Sequence, residues 1–395
     1  MSRPLRIAHV SDTHLGYRAG HRLDPTTGRN QRALDIERAY EAAVTDILTR
    51  EVDLVIHGGD VFHHTRPSWS SLGVFVRQTR RLEAAALPTV IIAGNHDTPR
   101  LRISGSAFSV LELALPGITF ATGYEMVEIP FPALGTMVTA VPHGALTNPN
   151  PPIPEPHPNY RNLLVTHGFV PGVMSQKREP GEEELSSLLL DAAFEYIALG
   201  HYHIHGPAGS VAAYSGSTER TGWGDREATP GYLLVTLAGD GAPPELTHVP
   251  LPARPMVRLE AISGGDRPAR EIADLVLAAA RTHGDPAAML RLQLNDTSRP
   301  VRREVEMIVW RESLEIAWSL EIRPPNEEVF FPTDDRSGEA ELPPLRTMFD
   351  EFVAERVEPA REASFVAAVR ERGGRILDEA IAAARDAEAA EDSGT

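Results

Sequence analysis

Apolar positions along the first hundred residues switch between two rhythms. Leu5–Val10 is a short, largely apolar run that stops at Ser11-Asp12-Thr13-His14, the pattern of a buried strand feeding a loop. Helical spacing follows over roughly Gln31 to Arg50. Val52–His57 then predicts a strand ending in Gly58-Gly59-Asp60, Ser68 to Ala86 returns to helical spacing, and Thr89–Ala93 predicts a strand ending in Gly94-Asn95-His96-Asp97. Strand alternating with helix implies parallel βαβ units and an α/β fold.

After Pro116 the pieces shorten and turn β-like, as in Met137–Val141, and Asn148–Pro158 is too rich in proline to be anything but loop or extended chain. Leu163–Thr166 leads to His167-Gly168, and Tyr196–Leu199 leads to Gly200-His201-Tyr202-His203. Ala212–Tyr214 and Tyr232–Leu237 predict two more strands. The run Leu251-Pro252-Ala253-Arg254-Pro255 marks a domain boundary. Beyond it, a helix over Arg270–Arg281 and a strand over Met289–Leu294 predict a small α/β module. The last stretch spaces Phe349, Phe352, Val353 and Val357, then Phe365, Val366, Val369, Ile376, Leu377 and Ile381, as a helix would. Pro359 and the Gly373-Gly374 pair are expected to break it into pieces. The predicted organisation is a catalytic domain over 1–250, a small α/β domain over 256–325 and a helical segment over 340–390.

Composition narrows the chemistry. At 395 residues, with 42% hydrophobic and 24% charged residues, the chain is long enough for two folded domains. It has no cysteine, so disulfides, thiolate nucleophiles and sulfur-ligated zinc are all excluded, and any metal must be held by nitrogen and oxygen, for which 15 histidines are at hand. No apolar run approaches the roughly 20 residues of a membrane helix, and Met1–Arg6 lacks the apolar core of a secretory signal, so a cytoplasmic location without membrane contact is expected.

A net charge of -17 argues at first against a polyanionic partner. The charge is uneven, however. Residues 1–102 hold 14 Arg and no Lys against 11 acids, a net of +3, whereas residues 326–395 hold 8 Arg against 18 acids, a net of -10. An anionic substrate near the N-terminal half is therefore compatible with the sequence.

In parallel α/β sheets, ligands collect beyond the carboxyl ends of the strands. Five predicted strands end at Asp12 and His14, at Asp60, at Asn95 and His96, at His167, and at His201 and His203, so one edge should gather them. A single such histidine is more often structural or solvated than catalytic. Five elements in order, each with a suitable donor, reverse that balance. These oxygen and nitrogen donors suit Mn, Fe or Zn. Two metals need a bridging carboxylate, and Asp60, uncrowded after two glycines, is the expected bridge of a centre that hydrolyses phosphate esters. His96, beside Asn95, can face substrate as a general acid, with Asp97 expected to hold its other nitrogen.

The segments Asp12-Thr13-His14, Gly59-Asp60, Gly94-Asn95-His96-Asp97, His167-Gly168 and Gly200-His201-Tyr202-His203 together resemble the calcineurin-like metallophosphoesterase superfamily. The resemblance implies a four-layer αββα sandwich. It also implies one metal held by Asp12, His14, Asp60 and His203, and a second held by Asp60, Asn95, His167 and His201. Locally, His9 to Tyr17, Gly59 to Ser68, and Tyr214 to Arg220 followed by Gly224 are similar to the SbcD-type DNA-repair nucleases, a likeness covering most of residues 1–237.

That branch implies several further expectations. His63 would help place the scissile phosphate, two Mn(2+) ions would be the cofactors, and DNA would be cut by exonuclease or endonuclease action. A homodimer would work with an SMC-like coiled-coil ATPase of the SbcC type, residues 256–325 would cap the DNA, and the C-terminal helices would dock the ATPase. The chain carries no Gly-x4-Gly-Lys-Ser/Thr loop, so ATP hydrolysis would fall to that partner. Arg66, and Arg18 and Arg22 with Arg29 and Arg32, either track a DNA strand or form an ordinary surface. Two rival readings are a general phosphodiesterase or phosphatase acting on small or protein-linked esters, and a scaffold that binds partners without catalysis. The intact ligand set and His96 weigh against the second.

Overall fold

The computed structural model describes residues 3–20, 22–99, 101–173, 183–186, 190, 193–239, 241–325, 349–350, 353–354, 363–375 and 378. The elements that build the first half are β1 (Leu5–Val10), α1 (Gln31–Thr49), β2 (Leu54–His57), α2 (Trp69–Ala84), β3 (Thr89–Ile92), α3 (Phe108–Ala114) and β4 (Thr119–Ala121). Asn30 and Ser68 start the two long helices by accepting the Ala33 and Ser71 amides at 3.2 Å each, which satisfies amide groups the first turn leaves bare. There follow β5 (Val127–Phe131), β6 (Thr136–Val141), α4 (His143–Leu146), β7 (Arg161–His167), β8 (Tyr196–Gly200), β9 (Gly206–Pro207), β10 (Ala212–Tyr214), β11 (Gly231–Leu237) and β12 (Glu245–Pro250).

These strands form two six-stranded sheets, in the orders β12-β11-β1-β2-β3-β4 and β5-β6-β7-β8-β10-β9. Strand alternation divides their side chains between two cores. Ile7, Leu54, Ile56, Val90 and Ile92 of the first sheet face Val138, Ala140, Leu163, Val165 and Ala198 of the second. Ala8, Val55 and Ile91, the residues between them, point the other way and pack under Ile36, Tyr40, Val44, Phe75 and Phe108 of the helices. The far face of the second sheet, through Leu164, Ile197 and Leu199, is covered by Ala145, Leu146, Phe169 and Phe194. Two sheets packed face to face with helices outside them is the α/β sandwich that the sequence predicts.

The remaining elements are β13 (Met256–Arg258), β14 (Ile262–Ser263), α5 (Ala269–His283), β15 (Met289–Asn295), α6 (Arg299–Glu312) and β16 (Ser319–Arg323). All partners of β15 are parallel to it: β13 and β14 on one side and β16 on the other. Ile272, Val276, Leu277, Val305 and Val309 of the helices pack on Leu292, Leu294 and Ile322. The chain divides into two compact units after Pro325, so this third sheet belongs to the first unit. Among the described residues no helix is long and apolar enough to cross a membrane.

Much of the expected 340–390 helical segment lies outside the described residues. Where it is described, residues 363–375 are one helix that runs through Gly373-Gly374, contrary to the expected break. Its reason is close packing: a Cβ on Gly373 would stand 2.6 Å from the Phe349 ring. The glycine is used for approach rather than for a turn.

Candidate metal centre

The loops after β1, β2, β3, β7 and β8 meet at one edge, and backbone bonds fix how they meet. The Asp12 amide donates to the Gly59 carbonyl and the His14 amide to the Asp60 carbonyl, both at 3.0 Å. Gly94 lies so close that a Cβ there would come within 2.1 Å of Asp60 Oδ1, so only glycine fits. Among the described residues seven non-glycine residues adopt positive φ, and four of them are Asp12, His14, Asp60 and His201. Such backbone costs of order 1–3 kcal/mol each, and its concentration on one edge marks a site that the surrounding fold forces into shape.

The side chains converge as the sequence predicts. Asp60 Oδ2 lies 3.7 Å from His14 Nε2 and 3.5 Å from His167 Nε2, while its Oδ1 accepts the His96 amide at 2.9 Å. His14 Nε2 is 3.0 Å from His203 Nε2, and His167 Nε2 is 2.9 Å from Asn95 Oδ1. Both Asp12 oxygens accept the His201 amide at 3.1 Å, and the His201 ring stands 5.4 Å from that of His167. Candidate ligand atoms of Asp12, His14 and His203, and again of Asp12, Asp60 and His167, lie within 4.8 Å of one another.

His14, His63 and His96 form a third such group, although the sequence gives the last two no metal to hold. His63 Nδ1 is 3.3 Å from His14 Nδ1, and the His63 and His96 rings stack at 5.1 Å. Asp97 is not where adjacency suggests. His96 Nδ1 meets the His63 carbonyl at 2.9 Å instead, and the Asp97 carboxylate turns inward to accept the amides of Val61, Phe62 and Gly94 at 2.9, 2.9 and 3.1 Å. Three amides with no other acceptor outcompete one imidazole. Asp97 therefore ties two ligand loops together.

The arginines also part company. Arg22, though exposed, donates to the Ala317 and Trp318 carbonyls at 3.3 and 2.8 Å, and so joins the third sheet to the N-terminal half. Arg29 pairs with Glu37, and Arg32 is buried on Asp35 and the Arg220 carbonyl. Arg18 and Arg66 are exposed.

Three residues near the centre were not singled out in the sequence. Asp225 binds His203 Nδ1 at 2.9 Å, and the Tyr17 ring meets that of His63 edge-on at 5.0 Å. His143 follows β6, its amide bonded to the Ala93 carbonyl at 3.0 Å and its ring in the field of His167, Asp60 and His201. A strand ending at a histidine is the same signal that exposes the other ligands, and Val141-Pro142-His143 carries it.

The electrostatics suit bound cations. Burial alone would raise the Asp60 carboxyl, but His167 and His14 hold it well below the usual carboxylate range. Burial opposes charge on His167 and His203, yet Asp60 and Asp225 respectively push both up to about 9. A pocket that concentrates negative field on imidazole nitrogens, with carboxylate, imidazole and amide donors and no sulfur, fits divalent metal of the Mn, Fe or Zn class.

These shifts predict how stability depends on pH when the protein is stripped of metal. His9 and His57, wholly buried, are pushed down to about 3 by burial first, His9 by the field of His57 as well. Below pH 6.5 the unfolded chain takes up protons that the folded state refuses, at about 1.4 kcal/mol per pH unit for each group. His167 and His203, raised, contribute stability that is complete below pH 6.5 and lost as pH rises through about 9. The thermal midpoint of EDTA-treated protein should therefore peak near neutrality and fall on both sides. A flat profile from pH 6.5 to 4 would contradict the buried neutral pair.

Comparison with known proteins decides the family. The sequence profile of the calcineurin-like phosphoesterases matches residues 5–205. This chain belongs to that family. Within it, the chain is similar to the DNA double-strand break repair protein Mre11 of Methanosarcina acetivorans, 29% identical over 288 residues, which are 69% of this chain and 43% of that protein. It is similar too to Mre11 of Haloferax volcanii, 29% identical over 274 residues, 66% of this chain and 55% of the relative. The match thus spans about half the length of these calcineurin-like phosphoesterase relatives.

Proposed function

We propose that this chain is a two-metal phosphodiesterase that hydrolyses DNA, using Mn(2+), in the repair of double-strand breaks. The observation that carries the reading is Asp60. One of its carboxylate oxygens faces His14 Nε2 and His167 Nε2 at 3.7 and 3.5 Å, with His203 beside the first and Asn95 beside the second. Asp12, His14, Asp60 and His203 would hold one ion, and Asp60, Asn95, His167 and His201 the other. When bound, such a pair lowers the pKa of water and stabilises charge at phosphorus. The chain's own task is placement. Asp60 and Asp12 anchor opposite loops, His63 and His96 present stacked rings to the phosphate, and Asp97 locks the Asn95 loop against that of Asp60.

DNA as substrate is supported by the likeness to Mre11 proteins over two thirds of the chain and by exposed Arg18 and Arg66 beside the ligand loops. In the same reading, residues 1–250 catalyse, residues 256–325 cap the DNA, and the 340–390 segment docks an SbcC-type ATPase on a cytoplasmic homodimer. Arg22 and Arg254 support the capping role, since Arg254 clamps Asp35 through two nitrogens at 2.7 and 2.9 Å and reaches the Ala287 carbonyl at 2.9 Å.

The test is hydrolysis of single- and double-stranded DNA, compared with a small phosphodiester, by the full chain with Mn(2+), alone and with a partner ATPase. Mn-dependent loss of DNA ends is expected. Turnover of the small ester with DNA left uncut in every condition would replace the nuclease by a general phosphodiesterase.

A further inference from the structure

The segment Tyr214 to Gly224 shares its pattern with nucleases, yet the chemistry above gives it no task. It leads into a single helical turn, Trp223–Asp225, and there the purpose of the segment becomes visible. Asp225 is buried. Its Oδ2 accepts His203 Nδ1 at 2.9 Å, the Thr221 amide at 2.8 Å, the Thr221 hydroxyl at 2.9 Å and the Gly222 amide at 3.3 Å. Three of those four donors belong to Thr221 and Gly222, the two residues that enter the turn, so the carboxylate is fixed whether or not the imidazole is present. The turn is gripped in its place from outside as well, because the Arg291 guanidinium of β15 lies 4.2 Å over the Trp223 ring.

A fixed carboxylate at Nδ1 requires the proton there and leaves Nε2 as the nitrogen presented to the centre, where it lies 3.0 Å from His14 Nε2. His167 is oriented differently, since its Nδ1 donates to the Gly58 carbonyl at 2.8 Å, a neutral acceptor. A carboxylate raises the basicity of a ligating imidazole more than a carbonyl does.

We propose that Asp225 is the positioning residue for His203, fixing its tautomer, ring direction and basicity, so that the two metal sites respond differently to its loss. His203 leans on a charged acceptor at Nδ1, and His167 leans on a neutral one. The proposal rests on the reading of His203 as a metal ligand.

The experiment is a Mn(2+) titration of the metal-free full chain, following free Mn(2+) by electron paramagnetic resonance, with thermal unfolding of each metal-free variant alongside. Asp225→Ala should weaken one site by about 10–100-fold and leave the other within a factor of two. Asp225→Asn, which keeps an acceptor for Nδ1 and loses only the charge, should weaken the same site by less and lower the metal-free unfolding midpoint by less than Asp225→Ala does. Wild-type affinity at both sites in both variants overturns the proposal. So does an equal loss at both sites, which a merely structural role for the turn would give. His203→Ala in the same titration separates the two claims: if it retains both sites, the ligand reading itself has failed, and the role of Asp225 fails with it.

Discussion

Asp60→Asn should abolish phosphodiester hydrolysis, by on the order of a thousand-fold or more, and should leave the protein unable to bind its full complement of metal. Its Oδ2 faces both ligand sets, His14 on one side and His167 on the other. Asparagine is the informative substitution because it is nearly isosteric and tolerates the left-handed backbone that Asp60 adopts, φ 53°. Its amide oxygen can still accept the His96 amide now bound at 2.9 Å, and nothing larger would fit against Gly94. What is lost is the charge. The predicted consequence reaches His167, whose basicity rests first on Asp60, so its raised pKa should fall toward the ordinary histidine value in the metal-free variant. Metal content by plasma emission and turnover of a small phosphodiester check the result. Two metals per chain together with turnover within ten-fold of wild type would remove Asp60 from the bridging position.

How far the sequence could be read depended on whether a residue's role follows from chain direction or from a contact. Asp12, Asp60, Asn95, His167 and His201 stand where strands end, and strand ends are legible from hydrophobic runs stopping at polar residues. Asp97 shows the limit. Its neighbour in sequence, His96, suggested a pair, but the turn sends the carboxylate under its own loop to the Val61 and Phe62 amides. Clustered charge was ambiguous for the same reason: Arg22, Arg29 and Arg32 read equally as a DNA-tracking strip or an ordinary surface, and only the contacts with the Trp318 carbonyl, Glu37 and Asp35 show what each one binds. Asp225 was invisible because no spacing links it to His203, twenty-two residues away across two strands. The left-handed backbone at Asp12, His14 and Asp60 could not be foreseen either, since side-chain type alone gives no reason to expect strain there.

His96→Gln should cost about 10²–10⁴ in turnover on DNA while metal binding stays at the wild-type level. The geometry separates this residue from the ligands around it. Its backbone is pinned by the Asp60 carboxylate, and its ring is stacked on His63 at 20° and stands perpendicular to His14 at 4.8 Å. The His63 carbonyl can only accept, so His96 Nδ1 must carry a proton to make the 2.9 Å bond, and Nε2 is the nitrogen left to give a proton to a leaving oxygen. A donor in that role matters in proportion to how badly the leaving group needs the proton. The loss should therefore be large for DNA, whose leaving sugar oxygen is strongly basic, and small for an activated ester such as bis(p-nitrophenyl) phosphate, whose phenolate departs unaided. Equal losses on both substrates would show that His96 holds the phosphate in place and does not protonate it. Loss of metal in the variant would make it a ligand of the group it forms with His14 and His63, and the acid would then have to be sought at His63 or His143.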